Sequence, residues 1–278
     1  MPPLRLLVLL AIGAVACGAL PVQAQTLSLA YHRGDTYRYS FHSTATQSIT
    51  GGGLAIPPTE IDIVAAETVT VNSVDPNGSA DLTLTLSNFT ISSGATGAIL
   101  DTTKGMPDIT MNITIAADGH VVSLDGKQVA TGNPFLASGA GGGFFITAVL
   151  PSGAVKPGDT WTKDYTEATP GGTGGISITT HSKYLRDESL NGVRAAVVET
   201  TSNASIDLGT GGSGGLSSKG TGTSDVTSWI DPNSHRVLKS HAKQSNDGTF
   251  DFGSSINLGG LSGPISIKGT GTVDLTPA

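Results

Sequence analysis

The sequence predicts an all-β protein with a minor amount of helix, built as a large curved antiparallel sheet or an open β-barrel. Three observations predict this class: apolar and polar residues alternate with a period of two, the alternating runs are rich in Val, Ile and Thr, and turn dipeptides separate the runs. Charged residues make up only 13% of the chain, against about 25% in an average protein. The sequence therefore also predicts a nearly neutral surface that is rich in hydroxyl groups.

The first 24 residues have the order of a secretory signal peptide. Arg5 supplies the positive start, residues 6–16 form an apolar stretch too short to span a bilayer, and Val22-Gln23-Ala24 ends in the small residues that a signal peptidase accepts. We expect the segment 1–24 to be removed and the protein to be exported to the periplasm or the cell exterior. The alternative is lipoprotein processing at Cys17, which follows small residues and would leave the protein lipid-anchored, with peripheral membrane association.

Charge and cysteine usage exclude several functional classes. The net charge of −7 argues against the basic surface of a nucleic-acid-binding protein. Cys17 is the only cysteine, so the chain has no disulfide framework, no cysteine-ligated metal and no thiol nucleophile once the leader is gone. We predict no metal and no cofactor, because the histidines lack the spacing of a metal site: His32, His42, His120, His181, His235 and His241.

About a dozen antiparallel strands are predicted along the chain. In the clearest run, residues 80–86, Ala and Leu alternate with Asp and Thr, as in a strand with one buried face. Other runs rich in branched and aromatic residues are predicted to be strands as well: 37–41, 61–74, 109–115, 176–180, 193–200, 226–230, 237–242 and 265–275.

Turns are predicted between these runs. Asp75-Pro76-Asn77-Gly78 and Asp231-Pro232-Asn233-Ser234 place proline where its fixed φ suits a turn, followed by a residue that tolerates positive φ. Asp118-Gly119, Asn191-Gly192 and Asp247-Gly248 are typical of tight hairpin turns.

The chain contains internal echoes that predict a duplicated architecture. Gly34-Asp35-Thr36-Tyr37 is echoed by Gly158-Asp159-Thr160-Trp161, and residues 219–226 are echoed by 268–275. Two related half-sheets explain these echoes, since each half alone would leave an apolar face uncovered. We expect one domain, 25–278, with halves at about 25–132 and 151–278. Glycines inside the predicted strands are expected to bend them: Gly220, Gly222, Gly269 and Gly271.

An apolar, glycine-rich connector, 133–150, separates the two predicted halves and breaks the alternation. It can be a plug, with one or two helical turns, that fills the core. It can also be a lid over an apolar cavity, with its glycines as the hinge. In the second case the ligand-binding residues are predicted to be the apolar ones of the connector: Phe135, Leu136, Phe144, Phe145, Ile146 and Val149.

Two short motifs resemble parts of known families. Residues 228–240, with Trp229 and the turn at Asp231, resemble the strand-turn-strand signature of periplasmic lipoprotein-carrier proteins of the LolA and LppX type. The Gly158-Asp159-Thr160-Trp161 element is similar to an element of uncharacterised secreted bacterial domains. The resemblance covers about thirty residues. It implies a curved antiparallel sheet around an apolar cavity, and a lipid or lipoprotein ligand.

These observations favour a non-enzymatic protein of the cell envelope or the exterior that binds an apolar or lipid-like ligand within a curved sheet. The alternative is a structural or surface-interaction protein with a filled core and a Ser/Thr-rich working face. A hydrolase is disfavoured, because the Gly-x-Ser-x-Gly match at 211–215 has neither a buried strand before it nor a helix pattern after it. The residues indicate no oligomeric state.

The leader makes a direct prediction about the secreted product. Mass spectrometry of the mature protein should find Gln25 at the N-terminus, because the positive, apolar and small-residue regions stand in the required order. A diacylglycerol-modified Cys17 at the N-terminus would instead establish the anchored form.

Overall fold

The computed structural model describes the strands of the chain and the segments that join many of them. The described residues are 24–93, 99–100, 108–124, 127–128, 146–168, 174–209, 217–251 and 263–278. Residues 1–23 of the predicted leader and residues 133–145 of the predicted connector lie outside the described residues.

Fifteen strands and no helix are found in this part of the chain, so the all-β prediction is confirmed. The described part of the chain therefore contains no helix that could span a membrane. The strands in chain order are β1 Gln25–Thr26, β2 Thr36–Gly51, β3 Leu54–Val74, β4 Ala80–Ser93, β5 Ile99–Leu100, β6 Ile109–Ile115, β7 Val121–Leu124, β8 Lys127–Gln128, β9 Ala154–Val155, β10 Thr160–Ala168, β11 Gly174–Leu190, β12 Val193–Leu208, β13 Ser217–Asp231, β14 Arg236–Asp251 and β15 Ile265–Pro277.

Thirteen of these strands form a single antiparallel sheet. Its order is β10-β11-β12-β13-β14-β15-β2-β3-β4-β6-β7-β8, with β5 paired to β4 beside this path. The last strand, β15, pairs with the first long strand, β2, so the two join in the middle of the sheet. β10 and β8 end the order and are not bonded to each other among the described residues. The sheet is therefore large and open.

The predicted alternation matches the faces of the sheet. In β4 the four residues Ala80, Leu82, Leu84 and Leu86 are fully buried, and the residues between them are exposed or half-buried. Burying one leucine side chain stabilises the fold by about 1.5–3 kcal/mol. The leucines of this strand therefore favour packing of one face of the sheet in the core. Most buried apolar residues of the other strands lie on the same side, which we call the inner face; the opposite side, where Ala195 and Val197 are also buried, is the outer face.

The two Gly-Asp-Thr turns are built alike, as their echoed sequence suggests. Gly34 donates its N–H to the carbonyl of Val71, and the Val71 N–H returns to the carbonyl of Asp35. Gly158 and Asp159 form the same pair of bonds with Tyr184. Both glycines need positive φ, +92° and +97°, which only glycine adopts without strain.

One predicted turn is wrong. Asp247-Gly248 lies inside β14, where Asp247 pairs with Thr221 and Lys268 on the two neighbouring strands. The dipeptide suits a hairpin locally, but two ladders of hydrogen bonds hold this strand extended. By contrast, Asn191-Gly192 and Asp118-Gly119 do occupy turns.

Two of the strand glycines allow close approach of neighbouring strands. A Cβ on Gly220 would lie 2.8 Å from the carbonyl oxygen of Asp247, and one on Gly271 would lie 2.7 Å from that of Thr44. Both distances are shorter than a side chain tolerates, so glycine is required where these backbones crowd together.

The inner face is covered by two irregular segments, residues 27–31 and 146–150. Strands β1 and β9 pair beside them, with Gln25 opposite Val155. Leu27, Leu29, Ile146, Ala148 and Leu150 are buried in the same core as the inner-face residues of the sheet. We call residues 27–31 and 146–150 the cover.

A row of buried hydroxyl groups on neighbouring strands binds the backbone of the cover. The Ala148 N–H donates to Ser228 Oγ at 2.8 Å, and the Val149 N–H donates to Thr200 Oγ1 at 2.9 Å. Ser228 shares a further hydrogen bond with Ser240, and Thr200 shares one with Ser182. These hydroxyls replace the ladder partners that an irregular buried segment lacks.

We expect Ser228→Ala to lower the free energy of unfolding by about 1–3 kcal/mol, because it leaves the buried Ala148 N–H without an acceptor. Chemical denaturation would measure the change. Ser224→Ala, the same substitution on the same strand and face, is the control, because the Ser224 hydroxyl makes no hydrogen bond to another described side chain or backbone group. Equal effects of the two substitutions would contradict a role for the hydroxyl row.

Candidate functional site

The inner face and its cover include two of the six predicted ligand-binding residues. Ile146 and Val149 are buried. The Val149 carbonyl accepts a 2.9 Å hydrogen bond from the indole N–H of Trp161. The other four predicted residues lie outside the described residues, so their binding role stays a prediction: Phe135, Leu136, Phe144 and Phe145.

A buried carboxyl group is the most unusual feature of the inner face. Glu67 lies on β3 between the buried residues Ala65 and Val69, and it pairs with Tyr39 on β2 and Leu86 on β4. Only 1% of Glu67 is exposed, and neither carboxyl oxygen has a hydrogen-bond partner among the described residues. Burial raises the pKa of Glu67 to about 8. The group is therefore largely a neutral carboxylic acid at pH 7, one that can donate one hydrogen bond and accept others.

A second unpartnered polar group belongs to the cover. The hydroxyl of Tyr31 is buried and has no partner in the described part of the chain, and its ring meets Tyr37 edge-on at a centroid distance of 6.1 Å. Burial, and then the nearby Tyr39, raise the pKa of Tyr31 well above its ordinary value. After the effect of burial, the proximity of Glu67 is the next cause that raises the pKa of Tyr39. Tyr39 thus lies within electrostatic reach of both unpartnered groups.

The other two tyrosines of this cluster are satisfied. Tyr39 donates its hydroxyl to the carbonyl of Val237 at 2.8 Å, and Tyr37 donates to the carboxylate of Asp35 at 2.9 Å. An unpaired buried polar group costs about 1–3 kcal/mol. The contrast therefore marks Glu67 and Tyr31 as the two buried groups, among the residues that the structure describes, that need a hydrogen-bonding partner.

Sequence reasoning missed Glu67, although a signal was present. The run Ala65, Glu67, Val69, Val71 places an acidic residue at an inward position of an alternating strand. A polar residue at a core position is an error of patterning unless it has a function. Tyr31 carried no such signal, because it lies before the first long strand in a segment without alternation.

A different cluster of charged residues joins distant parts of the sheet. Asp118, in the turn between β6 and β7, accepts hydrogen bonds from Lys163 Nζ at 2.6 Å and Tyr165 Oη at 3.2 Å. Its other oxygen contacts His120 Nδ1 at 2.5 Å. Burial alone would raise the pKa of Asp118, but hydrogen bonds from His120 and Lys163 outweigh burial and hold the pKa well below its usual range.

This cluster is fully paired, unlike Glu67 and Tyr31. Lys163 and Tyr165 lie on β10, at one end of the strand order, and Asp118 lies close to the other end. The Asp118 ion pair therefore ties the two margins of the inner face together. Its oxygens are already occupied, which favours a structural role over ligand binding. No group of three metal-ligating side chains is found in the described part of the chain.

Comparison with known proteins finds distant similarities between the fold of this chain and several solved structures. No family model and no curated protein matches the chain. A solved structure of lipovitellin, titled for lipid–protein interactions, is 13% identical with a TM-score of 0.43, covering 89% of this chain and 26% of that one. This chain thus spans about a quarter of the lipovitellin chain.

Two bacterial structures are also similar over most of their length. YmcC, a hypothetical lipoprotein of Escherichia coli, is 12% identical with a TM-score of 0.29, covering 85% of this chain and 87% of that one. A Bacteroides fragilis protein described as exported, with a YmcC-like fold, is 11% identical with a TM-score of 0.23, covering 87% and 97%. All three TM-scores are below 0.5, so the candidate function rests on this chain's own side chains. The resemblance to LolA and LppX carriers stays a prediction.

The pKa of Glu67 predicts a pH-dependent stability. The folded protein holds a proton on Glu67 up to about pH 8, whereas the unfolded chain releases it near pH 4.5. The contribution of Glu67 to the free energy of unfolding is therefore complete below pH 4.5, falls progressively between pH 4.5 and about 8, and is lost above that, a loss of several kcal/mol.

The Glu67→Gln variant has no carboxyl proton to lose, so its free energy of unfolding should not show this decrease with pH. Denaturation of both proteins between pH 4 and pH 9 would measure the difference. Parallel curves for the wild type and the variant would contradict the assignment of a buried, protonated Glu67.

Proposed function

We propose that the protein is a non-enzymatic, exported protein that holds an apolar, lipid-like ligand against the inner face of its sheet. The observation that carries the proposal is that Glu67 and Tyr31, on the buried inner face, have no partner among the described residues, whereas the hydroxyl row and the Asp118 cluster on that face are paired. An apolar body would gain from burial on this face, and a polar end could satisfy both groups. Pockets for such ligands combine apolar walls with a few convergent polar groups.

The protonation of Glu67 favours a ligand with an uncharged polar end. As a neutral acid, Glu67 donates one hydrogen bond, and the Tyr31 hydroxyl can donate another. A carbonyl, ester or hydroxyl group could accept both bonds. A carboxylate form of Glu67 would be costly on this face, because burial already raises its pKa to about 8.

The connector supplies the remaining part of the proposed site. Ile146 and Val149 are buried where the cover crosses the sheet. We propose that Phe135, Leu136, Phe144 and Phe145, which precede them along the chain, contact the apolar body of the ligand. Their large side chains would add the burial that a lipid-like molecule requires.

A structural or surface-interaction protein is the second candidate. The observation in its favour is that the outer face is polar across many strands, with hydroxyl groups and paired charges in register. In that case the core is filled, and the outer face is the working surface. The experiment below separates the two candidates.

The test combines ligand extraction with an apolar probe. Organic extraction of the native protein should release a lipid detectable by mass spectrometry, and the stripped protein should bind N-phenyl-1-naphthylamine with a rise in fluorescence. Replacing Phe144 and Phe145 together with Ser should abolish probe binding while leaving the denaturation midpoint nearly unchanged, since lids belong to the least stable part of a structure. A matched control is Ile56→Ser with Val64→Ser, which removes two apolar side chains exposed on β3.

Two results would overturn the carrier proposal. One is the absence of both lipid and probe binding in the parent protein. The other is a large loss of stability in the Phe144 and Phe145 variant, since truncating a phenylalanine in a filled core costs about 3–5 kcal/mol. Either result would favour the structural candidate.

A further inference from the structure

The outer face carries continuous rows of polar side chains that cross several strands. One row joins Thr223 on β13, Ser245 on β14, Thr270 on β15 and Thr46 on β2, each paired in register with the next. The adjacent row joins Thr221, Asp247, Lys268 and Ser48 in the same order of strands. The two rows place eight polar side chains side by side on four neighbouring strands.

These rows line a groove of about 370 Å³. Pro58 also lines it, at a bulge where β3 loses register with β2 opposite Gln47 and Ile49. A bulge accommodates proline within a sheet, and here it places an apolar ring beside the hydroxyl groups. The volume is at the small end of the range of ligand pockets, about 300–1,000 Å³. The groove is therefore a site distinct from the inner face.

Several hydroxyl groups of the groove have no partner in the described part of the chain. Thr223 and Ser245 share a 2.8 Å hydrogen bond. The remaining hydroxyls make no side-chain hydrogen bond to another described residue and are free to bind a ligand: Thr46, Ser48, Thr221 and Thr270. Each hydroxyl can both donate and accept, so the groove suits a ligand that also does both.

The charges of the groove cancel. Lys268 Nζ lies 2.8 Å from Asp247 Oδ2, and the two side chains are 65% and 56% exposed. The pair leaves no net charge to attract an anion such as a phosphate or a cation such as an amine. Its remaining lone pairs and N–H groups can still bind hydroxyl groups of a ligand.

We infer that this groove binds a short stretch of an uncharged oligosaccharide. The hydroxyls of a sugar match the free threonine and serine hydroxyls, and its C–H faces match the Pro58 ring and the threonine methyl groups. A lipid would find too little apolar surface here, and a nucleic acid would find no net positive charge. The site lies on the opposite face from Glu67 and is independent of the proposed lipid site.

Titration calorimetry with the full-length protein and three neutral sugars, cellotriose, maltotriose and N,N′,N″-triacetylchitotriose, tests the inference. At least one sugar should bind to the wild type. Thr221→Val with Thr270→Val keeps the branched shape that suits a strand but removes two free hydroxyls, and should weaken binding about tenfold or more.

The control is Thr68→Val with Thr227→Val, which changes two half-buried outer-face threonines that do not line the groove. It should bind the sugar as the wild type does. The inference is overturned if none of the three sugars binds, or if the groove variant and the control bind equally well. Circular dichroism of both variants would verify that the sheet is retained.

Discussion

The apolar face of an open sheet has to be shielded from water. The way in which this chain shields that face determines much of the rest of the structure. The chain has no helix in its described part to lay across the sheet, so irregular backbone covers it instead. Irregular backbone brings unpaired N–H groups into the core, where they need acceptors. Ser228 and Thr200 provide those acceptors from the sheet itself. The hydroxyls of Ser228 and Thr200 on the inner face thus meet a need that the irregular cover creates.

The same constraint explains why part of the fold could be read from the sequence and part could not. The strand over Ala80 to Leu86 is visible from its alternation alone, because each residue's face depends only on its neighbours along the chain. Ser228 looks like an ordinary strand serine in the sequence. Its partner, Ala148, is eighty residues away, and no local pattern connects them. The prediction of a turn at Asp247-Gly248 is wrong for a related reason, because pairing with the two neighbouring strands determines the conformation of this dipeptide.

The candidate site likewise contains one residue that the sequence could have revealed and one that it could not. Glu67 breaks an apolar alternation and could have been found from the sequence, whereas Tyr31 becomes notable only when the cover is seen against β2 and β3. The carboxyl groups of Glu67 and Asp118 differ in protonation state because their surroundings differ. Lys163, Tyr165 and His120 surround Asp118 and keep it ionised. Glu67 has no such partners in the described part of the chain, so burial favours its neutral form.

The pairing of β15 with β2 has a consequence for how the protein reaches its native state. The central pair of the sheet joins strands from distant parts of the chain, with Leu275 opposite Phe41. Because such a distant contact closes a long loop, it forms late and slowly. Until β15 arrives, both β2 and β14 present open edges that invite wrong partners. A chain of this topology stays incompletely folded until β15 is available to pair. If the protein is exported, as we propose, that delay helps to keep the polypeptide extended while it passes through a translocation channel.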